Sequence, residues 1–287
     1  MLELYHSINS VCAQKVRIAL VEKELQCEEH LVDLRGGQFD PAYMKLNPNA
    51  VVPTLVHDGR TVIESSVILY YLDEAFTQMP LMPRDPLART KVRYFNKLID
   101  EYVHNSCTIL TFATAFRPAL LRLSPQAREA TYAKSPSKKR TEFKRDVIAH
   151  GLDSIYVGEA VEHHEKLLTW IDQAMQAGPY LAGDTYSLAD IAVIPYVLRL
   201  ELLRLSRMWD KRPGVAAWWE RLRARVDRAG DPQSHERGGL GAVRGPSARS
   251  VVQGARAAQS GLRHVRRKTQ SIFSRFTCAI AASVPEA

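Results

Sequence analysis

The stretch Ser10-Val11-Cys12-Ala13-Gln14-Lys15-Val16-Arg17-Ile18-Ala19-Leu20 decides the fold. It follows a short apolar run, Leu2-Glu3-Leu4-Tyr5, and carries apolar residues at Val16, Ile18, Ala19 and Leu20, so a strand gives way to a helix. A hydroxyl and a thiol are thereby delivered to a helix start. Unpaired backbone N–H groups and the positive end of the helix dipole lower the pKa of a thiol there. Two further motifs follow: Val51-Val52-Pro53-Thr54-Leu55, with a proline ahead of a strand, and Glu64-Ser65-Ser66-Val67-Ile68, with an acid and a hydroxyl opening a helix.

Between these motifs the pattern alternates. Strands are predicted at Leu2–Tyr5 and Glu29–Leu34, a short helix at Asp40–Leu46, and a hairpin from Thr54–His57 through Asp58-Gly59-Arg60 to Thr61–Ile63. A helix over Ser65–Glu74 completes the order β-α-β-α-β-β-α. Pro80, Pro83 and Pro86 mark a linker at 79–86, separating a first domain (1–78) from a helical one (87–229). In the second domain, Leu87–Phe116, Gly158–Gln176 and Gly214–Arg228 show helical periodicity. The polar, basic stretch 124–152 reads as a surface insertion or helical hairpin. Ser187-Leu188-Ala189-Asp190 is a capping box, flanked by Tyr186 and Ile191 at hydrophobic-staple positions.

At 287 residues and 46% hydrophobic, the chain can bury two cores. No apolar run is long enough to span a bilayer, and the charged N-terminal stretch has no signal-peptide core. The four cysteines (Cys12, Cys27, Cys107, Cys278) form no paired motif, which speaks against a disulfide framework or a zinc site and suits a reducing cytoplasm. The net charge of +8 is uneven. Most of it lies in residues 230–287, where nine basic residues face three acidic ones without hydrophobic period; this tail is expected to be disordered. Nucleic acid is therefore an expected partner only through the tail, and a membrane is not expected.

The three motifs together resemble the soluble glutathione transferase family. The form Ser-x-Cys-x-x-Lys-Val-Arg-Ile-Ala-Leu is similar to its zeta class and the related reductive dehalogenases, and the basic insertion resembles bacterial β-aryl-etherases. The likeness covers roughly residues 1–228 and is strongest over the first 76. It implies a thioredoxin-like α/β N-terminal domain, an all-α helical-bundle C-terminal domain, a cleft site between them, glutathione as co-substrate and a homodimer.

Each motif has a plainer reading beside the functional one. Ser10 is either a helix cap or the hydroxyl that stabilises a glutathione thiolate. Cys12 is either a small buried apolar group or the thiol that forms a mixed disulfide. Val52-Pro53 is either an edge-strand proline or a cis unit whose free backbone pairs with a peptide ligand. Glu64 and Ser65 are either a solvated acid and a cap, or the anchor of the γ-glutamyl end. The resemblance assigns the second reading in each case. It departs at Val11 and Gln14, where zeta proteins usually carry serine and tryptophan. It departs also at Val51, where many members carry a lysine or glutamine for the glycine carboxylate; Gln38, Lys45 or a residue of the second domain are substitutes. Tyr102, Asn105 and Phe112 are candidates for a substrate pocket, among further residues of the same helix including His104. His163-His164 reads as a solvated helix face. The expected reaction is thiolate attack on an apolar, aromatic electrophile. Ether cleavage, reductive dehalogenation or isomerisation are alternatives, as is a non-catalytic glutathione-binding module.

Overall fold

A computed structural model describes residues 1–230, so the basic segment set apart above lies, beyond Gly230, outside the described residues. Strand β1 (Leu2–His6) leads into helix α1 (Val11–Glu22), then β2 (Glu28–Leu31), α2 (Pro41–Leu46), β3 (Thr54–His57), β4 (Arg60–Ile63) and α3 (Ser65–Ala75). The sheet order is β2-β1-β3-β4, with β1 parallel to β2 and antiparallel to β3, and β3 antiparallel to β4. Strand β2 ends earlier than its alternating pattern suggested. Only Val32 continues its pairing, donating to His6 O at 2.7 Å, before Asp33 turns the chain by accepting from Gly36 and Gly37.

Helix α1 has no amphipathic stripe because it is covered on all sides. Val16, Ile18, Ala19 and Leu20 are fully buried, and Lys15 and Arg17 are buried with them. Helix α3 of the same domain packs against it, and so do α10 (Leu188–Leu202) and α11 (Pro213–Gly230) of the helical half. Each buried aliphatic side chain there is worth about 1.5–3 kcal/mol.

The proline-rich segment at 79–86 is pinned. Asp73 Oδ1 accepts from Leu81 N at 2.6 Å and from Lys23 Nζ at 2.9 Å, and Lys23 also reaches Met79 O at 2.7 Å. Beyond it the chain is helical. The predicted single helix over Leu87–Phe116 is interrupted twice. It divides into α4 (Pro86–Leu98), a π-helical turn (Ile99–Val103), α5 (His104–Thr111) and a second π-turn (Phe112–Phe116) leading to α6 (Arg117–Leu121). The insertion is a helical hairpin, α7 (Pro125–Ala133) and α8 (Lys138–His150). It is not purely a surface feature, since Thr141, Phe143, Val147 and Ile148 bury one face of α8. Helix α9 (Val157–Ala174) precedes α10. The His163-His164 pair is not a solvated face. His164 is fully buried, its Nδ1 2.7 Å from Ala160 O, and burial pulls it down to about 4; His163 bonds Ser106 Oγ at 2.8 Å.

The capping box forms as its spacing predicted. Asp190 Oδ2 accepts from Ser187 N at 3.0 Å and the Ser187 hydroxyl receives the first-turn N–H groups. Asp190 Oδ1 also accepts from Leu181 N and from Trp218 Nε1, so one carboxylate fastens α10 to α11.

Candidate active site

Ser10 holds the extended conformation of an N-cap (φ −83°, ψ 119°), and its Oγ accepts from Ala13 N at 3.2 Å. A hydroxyl has one donor and two acceptor sites, so this cap leaves the O–H free to donate to an anion. The capping and the thiolate-stabilising roles of Ser10 are thus compatible.

Cys12, in the first turn of α1, is half-buried, and three other helices bring groups to its sulfur. His104 Nδ1, at the start of α5, lies 3.4 Å from Sγ, and the Tyr196 hydroxyl of α10 lies 3.8 Å away. The Ser65 hydroxyl, at the start of α3, also favours the ionised thiol. Burial alone would raise the thiol's pKa. The positive charge and hydrogen bond of His104, helped by Lys15 and Ser65, outweigh it and bring Cys12 down to about 6. Tyr196, fully buried and 3.3 Å from His104 Nδ1, is pushed well above the usual phenol range by burial and by the charge on Cys12, so it remains a donor. Cys107, further along α5, shows the opposite outcome: burial pushes it up to about 11 with no imidazole to offset it.

Lys15 lies three residues beyond Cys12, wholly buried. Its ammonium bonds Ser66 Oγ at 3.1 Å and faces Asp100 at 3.5 Å, while the Ser66 hydroxyl donates to Asp100 at 2.9 Å. That buried cation adds to the positive potential around the thiol and ties α1 to α3 and to the first π-turn.

The second motif contains a cis peptide between Val52 and Pro53. Tyr43 Oη donates to Val51 O at 2.5 Å and Asn47 Nδ2 to the same oxygen at 3.0 Å, so the residue before the turn is held from α2. Val52 itself precedes β3 and lies outside the sheet's ladders. Glu64 has φ +69°, an uncommon and costly conformation for a residue with a side chain. It is exposed, with Oε1 3.4 Å from Asn49 Nδ2, and it sets the next residue, buried Ser65, at the first position of α3. Of the substitutes for Val51, Gln38 is engaged in its own loop with Gly36 N and Leu34 O, and Lys45 is exposed on α2.

The three pocket candidates are not brought to the thiol together. Tyr102 turns towards α9, its ring 5.2 Å from His163 and 5.5 Å from Lys166 Nζ. Residues two apart on a helix point about 200° apart, so the position that meets Cys12 is His104. Asn105 is exposed, and Phe112 packs edge-on to Phe116 at 5.2 Å. Tyr196 escaped the sequence reading because α10 is apolar on every face, and periodicity gives no direction to a phenol inside it. Among the described residues no group of His, Cys, Asp and Glu is placed to hold a metal ion.

Residues 9–75 match the family model "Glutathione S-transferase, N-terminal domain" and residues 144–225 match "Glutathione S-transferase, C-terminal domain". A maleylacetoacetate isomerase of Dictyostelium discoideum is 31% identical over 193 residues, covering 66% of this chain and 75% of that one. The chain belongs to the glutathione S-transferase family. Another relative is the tetrachloro-p-hydroquinone reductive dehalogenase of Sphingobium chlorophenolicum, 28% identical over 231 residues, 77% of this chain and 92% of that one. The crystal structure of the β-etherase LigF from Sphingobium sp. strain SYK-6 superposes with a TM-score of 0.71 at 26% identity, covering 79% of this chain and 98% of that chain. The small mixed sheet and helical second half are the transferase fold, as the motifs implied. No helix of the described residues is long and apolar enough to cross a membrane.

The role of His104 is open to a direct test. Alkylation of Cys12 by iodoacetamide is expected to rise with pH through a midpoint near 6, as thiolate forms. In His104→Ala the burial penalty is opposed only by the smaller contributions of Lys15 and Ser65, and the midpoint should move up towards the ordinary thiol range. An unmoved midpoint would mean that the helix start and Lys15 alone ionise Cys12.

Proposed function

We propose that this transferase uses Ser10 to hold glutathione as a thiolate, which attacks an electrophilic carbon of an apolar, aromatic substrate, and that Cys12 then resolves the conjugate. The observation that carries the second step is the 3.4 Å approach of His104 to the Cys12 sulfur. A cysteine needed only for packing gains nothing from an imidazole, whereas one that must attack sulfur near neutral pH does. Glutathione fits the residues present. Ser65 offers a hydroxyl and a backbone N–H at a helix start to the γ-glutamyl carboxylate, Glu64 an acceptor to its amino group, and Val52 with Pro53 an unladdered backbone to its cysteinyl unit.

In the first step the glutathione sulfur bonds to the substrate carbon and a halide or aryloxide leaves with the bonding electrons. In the second, the Cys12 thiolate attacks the glutathione sulfur, the carbon–sulfur bond breaks, and its electron pair stays on carbon, which takes a proton. A second glutathione thiolate then frees Cys12 and leaves as glutathione disulfide. One carbon centre is reduced and two glutathione molecules are oxidised, so the electrons balance. Ether cleavage is the second reading. It is favoured by the likeness to LigF and needs only the first step, with an aryloxide as leaving group.

The reading includes a boundary at 79–86 and a cytoplasmic homodimer. A panel of aryl halides, β-aryl ethers and maleyl diketones, with products identified by mass spectrometry, separates the reactions. Ser10→Ala tests the first step. A hydrogen bond to an anion is worth about 1.5–3 kcal/mol, so the variant should hold roughly ten- to a hundredfold less bound thiolate at neutral pH. The thiolate's ultraviolet absorbance measures it, and unchanged absorbance with unchanged turnover would remove Ser10 from the mechanism.

A further inference from the structure

Lys144 lies half-buried on α8 with its ammonium 4.7 Å from the centre of the Phe112 ring. An ammonium that gives up part of its water usually takes a carboxylate in exchange. Here none of the described residues pairs with it. On the same hairpin Glu129 pairs with Arg145 and Asp146 with His150. The charged group that acts on Lys144 is another cation, Arg140, one turn earlier on the same face of α8. Burial, reinforced by Arg140, brings Lys144 down to about 8. The Phe112 ring offers its π face as a partial substitute for an anion.

This pair of cations is connected to the thiol site. Helix α5 runs from His104, beside Cys12, to Thr111, and Phe112 is the next residue. Arg199 of α10 spans the same gap, with Nη1 3.5 Å from Thr111 Oγ1 and Nη2 2.7 Å from Asn9 O, next to Ser10. The axial rise from His104 to Phe112, where the Lys144 ammonium already lies, is about 12 Å, roughly the length of a sulfur-bound aromatic ring with a para carboxylate and one hydrogen bond. Both ends of α5 are π-turns, a feature frequent at functional sites.

The geometry points to an anion-binding subsite formed by Lys144 and Arg140 over Phe112, which takes a carboxylate borne by the aromatic ring of the electrophile while the reacting carbon faces Ser10 and Cys12. The inference rests on the glutathione reading above and names the substrate class for it. A ring carboxylate would exchange some water for two cations and replace the ring face as the partner of Lys144. A neutral aryl substrate would leave both cations without a counter-ion.

Two glutathione conjugates test the subsite in protein carrying Cys12→Ser, which cannot take a conjugate further: S-(4-carboxy-2,6-dinitrophenyl)glutathione and its aryl methyl ester, titrated calorimetrically, with each further substitution made in that background. The carboxylate should bind roughly tenfold or more tightly than the ester, the scale of one charge-assisted contact. In Lys144→Met that ratio should collapse towards one, and Lys144→Arg should keep it. Arg140→Met should lower the ratio in part, and serves if Lys144→Met fails to fold. A ratio near one in the Cys12→Ser protein itself, or one that survives Lys144→Met or, where that variant does not fold, Arg140→Met, overturns the subsite and leaves the glutathione reading standing. If neither conjugate binds, the glutathione reading fails and the subsite falls with it.

Discussion

Replacing Cys12 by serine is expected to stop release of reduced product and to let the glutathione conjugate accumulate. The sulfur sits where ionisation is favoured, with His104 at 3.4 Å, Tyr196 at 3.8 Å and the pKa drawn to about 6. A serine hydroxyl in that place does not ionise near neutral pH and cannot form the mixed disulfide that releases the carbon. With an aryl halide, the wild type should yield reduced arene and glutathione disulfide in equal amounts, and the variant the aryl conjugate in their place. Mass spectrometry of a single incubation reads all three. Because the first step uses Ser10, the glutathione in the accumulating conjugate reports that the remainder of the site is intact. Reduced product from Cys12→Ser at the wild-type rate would sink the resolving role. Conjugate as the sole product of both proteins would make the enzyme a plain transferase or etherase.

The first half of the fold was legible because its signals are local. A hydroxyl and a thiol before a run of buried aliphatics, an Asp-Gly between two strands and a proline ahead of Thr54 each act within a few residues, and each element forms near its expected place. The interruptions after Leu98 and Thr111 were not legible. A π-turn leaves the composition of a helix unchanged and shifts only which side chains share a face. Tyr102 and Asn105 stand about 200° and 100° around the helix from His104, and Phe112 lies about 12 Å further along it, so the three do not assemble around Cys12 although they lie on the right segment. The partners of Cys12 were hidden for a related reason. His104 and Tyr196 are 92 and 184 residues away from it in sequence, and only packing of α5 and α10 against α1 joins them. Lys15 is likewise fully buried through partners distant in sequence, Ser66 and Asp100, which bind its ammonium.

Asp190→Ala is expected to cost on the order of 4 kcal/mol, as when one member of a buried charged network is removed. The carboxylate is fully buried and accepts four hydrogen bonds: Leu181 N at 3.0 Å, Trp218 Nε1 at 2.8 Å, Ser187 N at 3.0 Å and the Ser187 hydroxyl at 3.2 Å. Alanine leaves all four donors inside the protein without an acceptor, each carrying a desolvation penalty of about 1–3 kcal/mol that partial relaxation reduces. For a folded unit of this size the melting temperature should drop by roughly 8–16 °C. Ser187→Ala removes the cap and one of the four donors to Asp190 and should cost about 1 kcal/mol. Asp190→Asn should fall between the two, since its amide keeps one acceptor and turns a donor towards another donor. Thermal unfolding followed by circular dichroism ranks the three variants. A loss of less than about 1 kcal/mol in Asp190→Ala would show that the network is incidental to stability. The consequence reaches the active site, because Tyr196 lies six residues along the same helix, about 9 Å from the box that starts it. Loosening the start of α10 lets the Tyr196 hydroxyl drift from Cys12 and His104. At temperatures where Asp190→Asn remains folded, the midpoint for alkylation of Cys12 should therefore shift as well, coupling a helix cap to the ionisation of a thiol on a different helix.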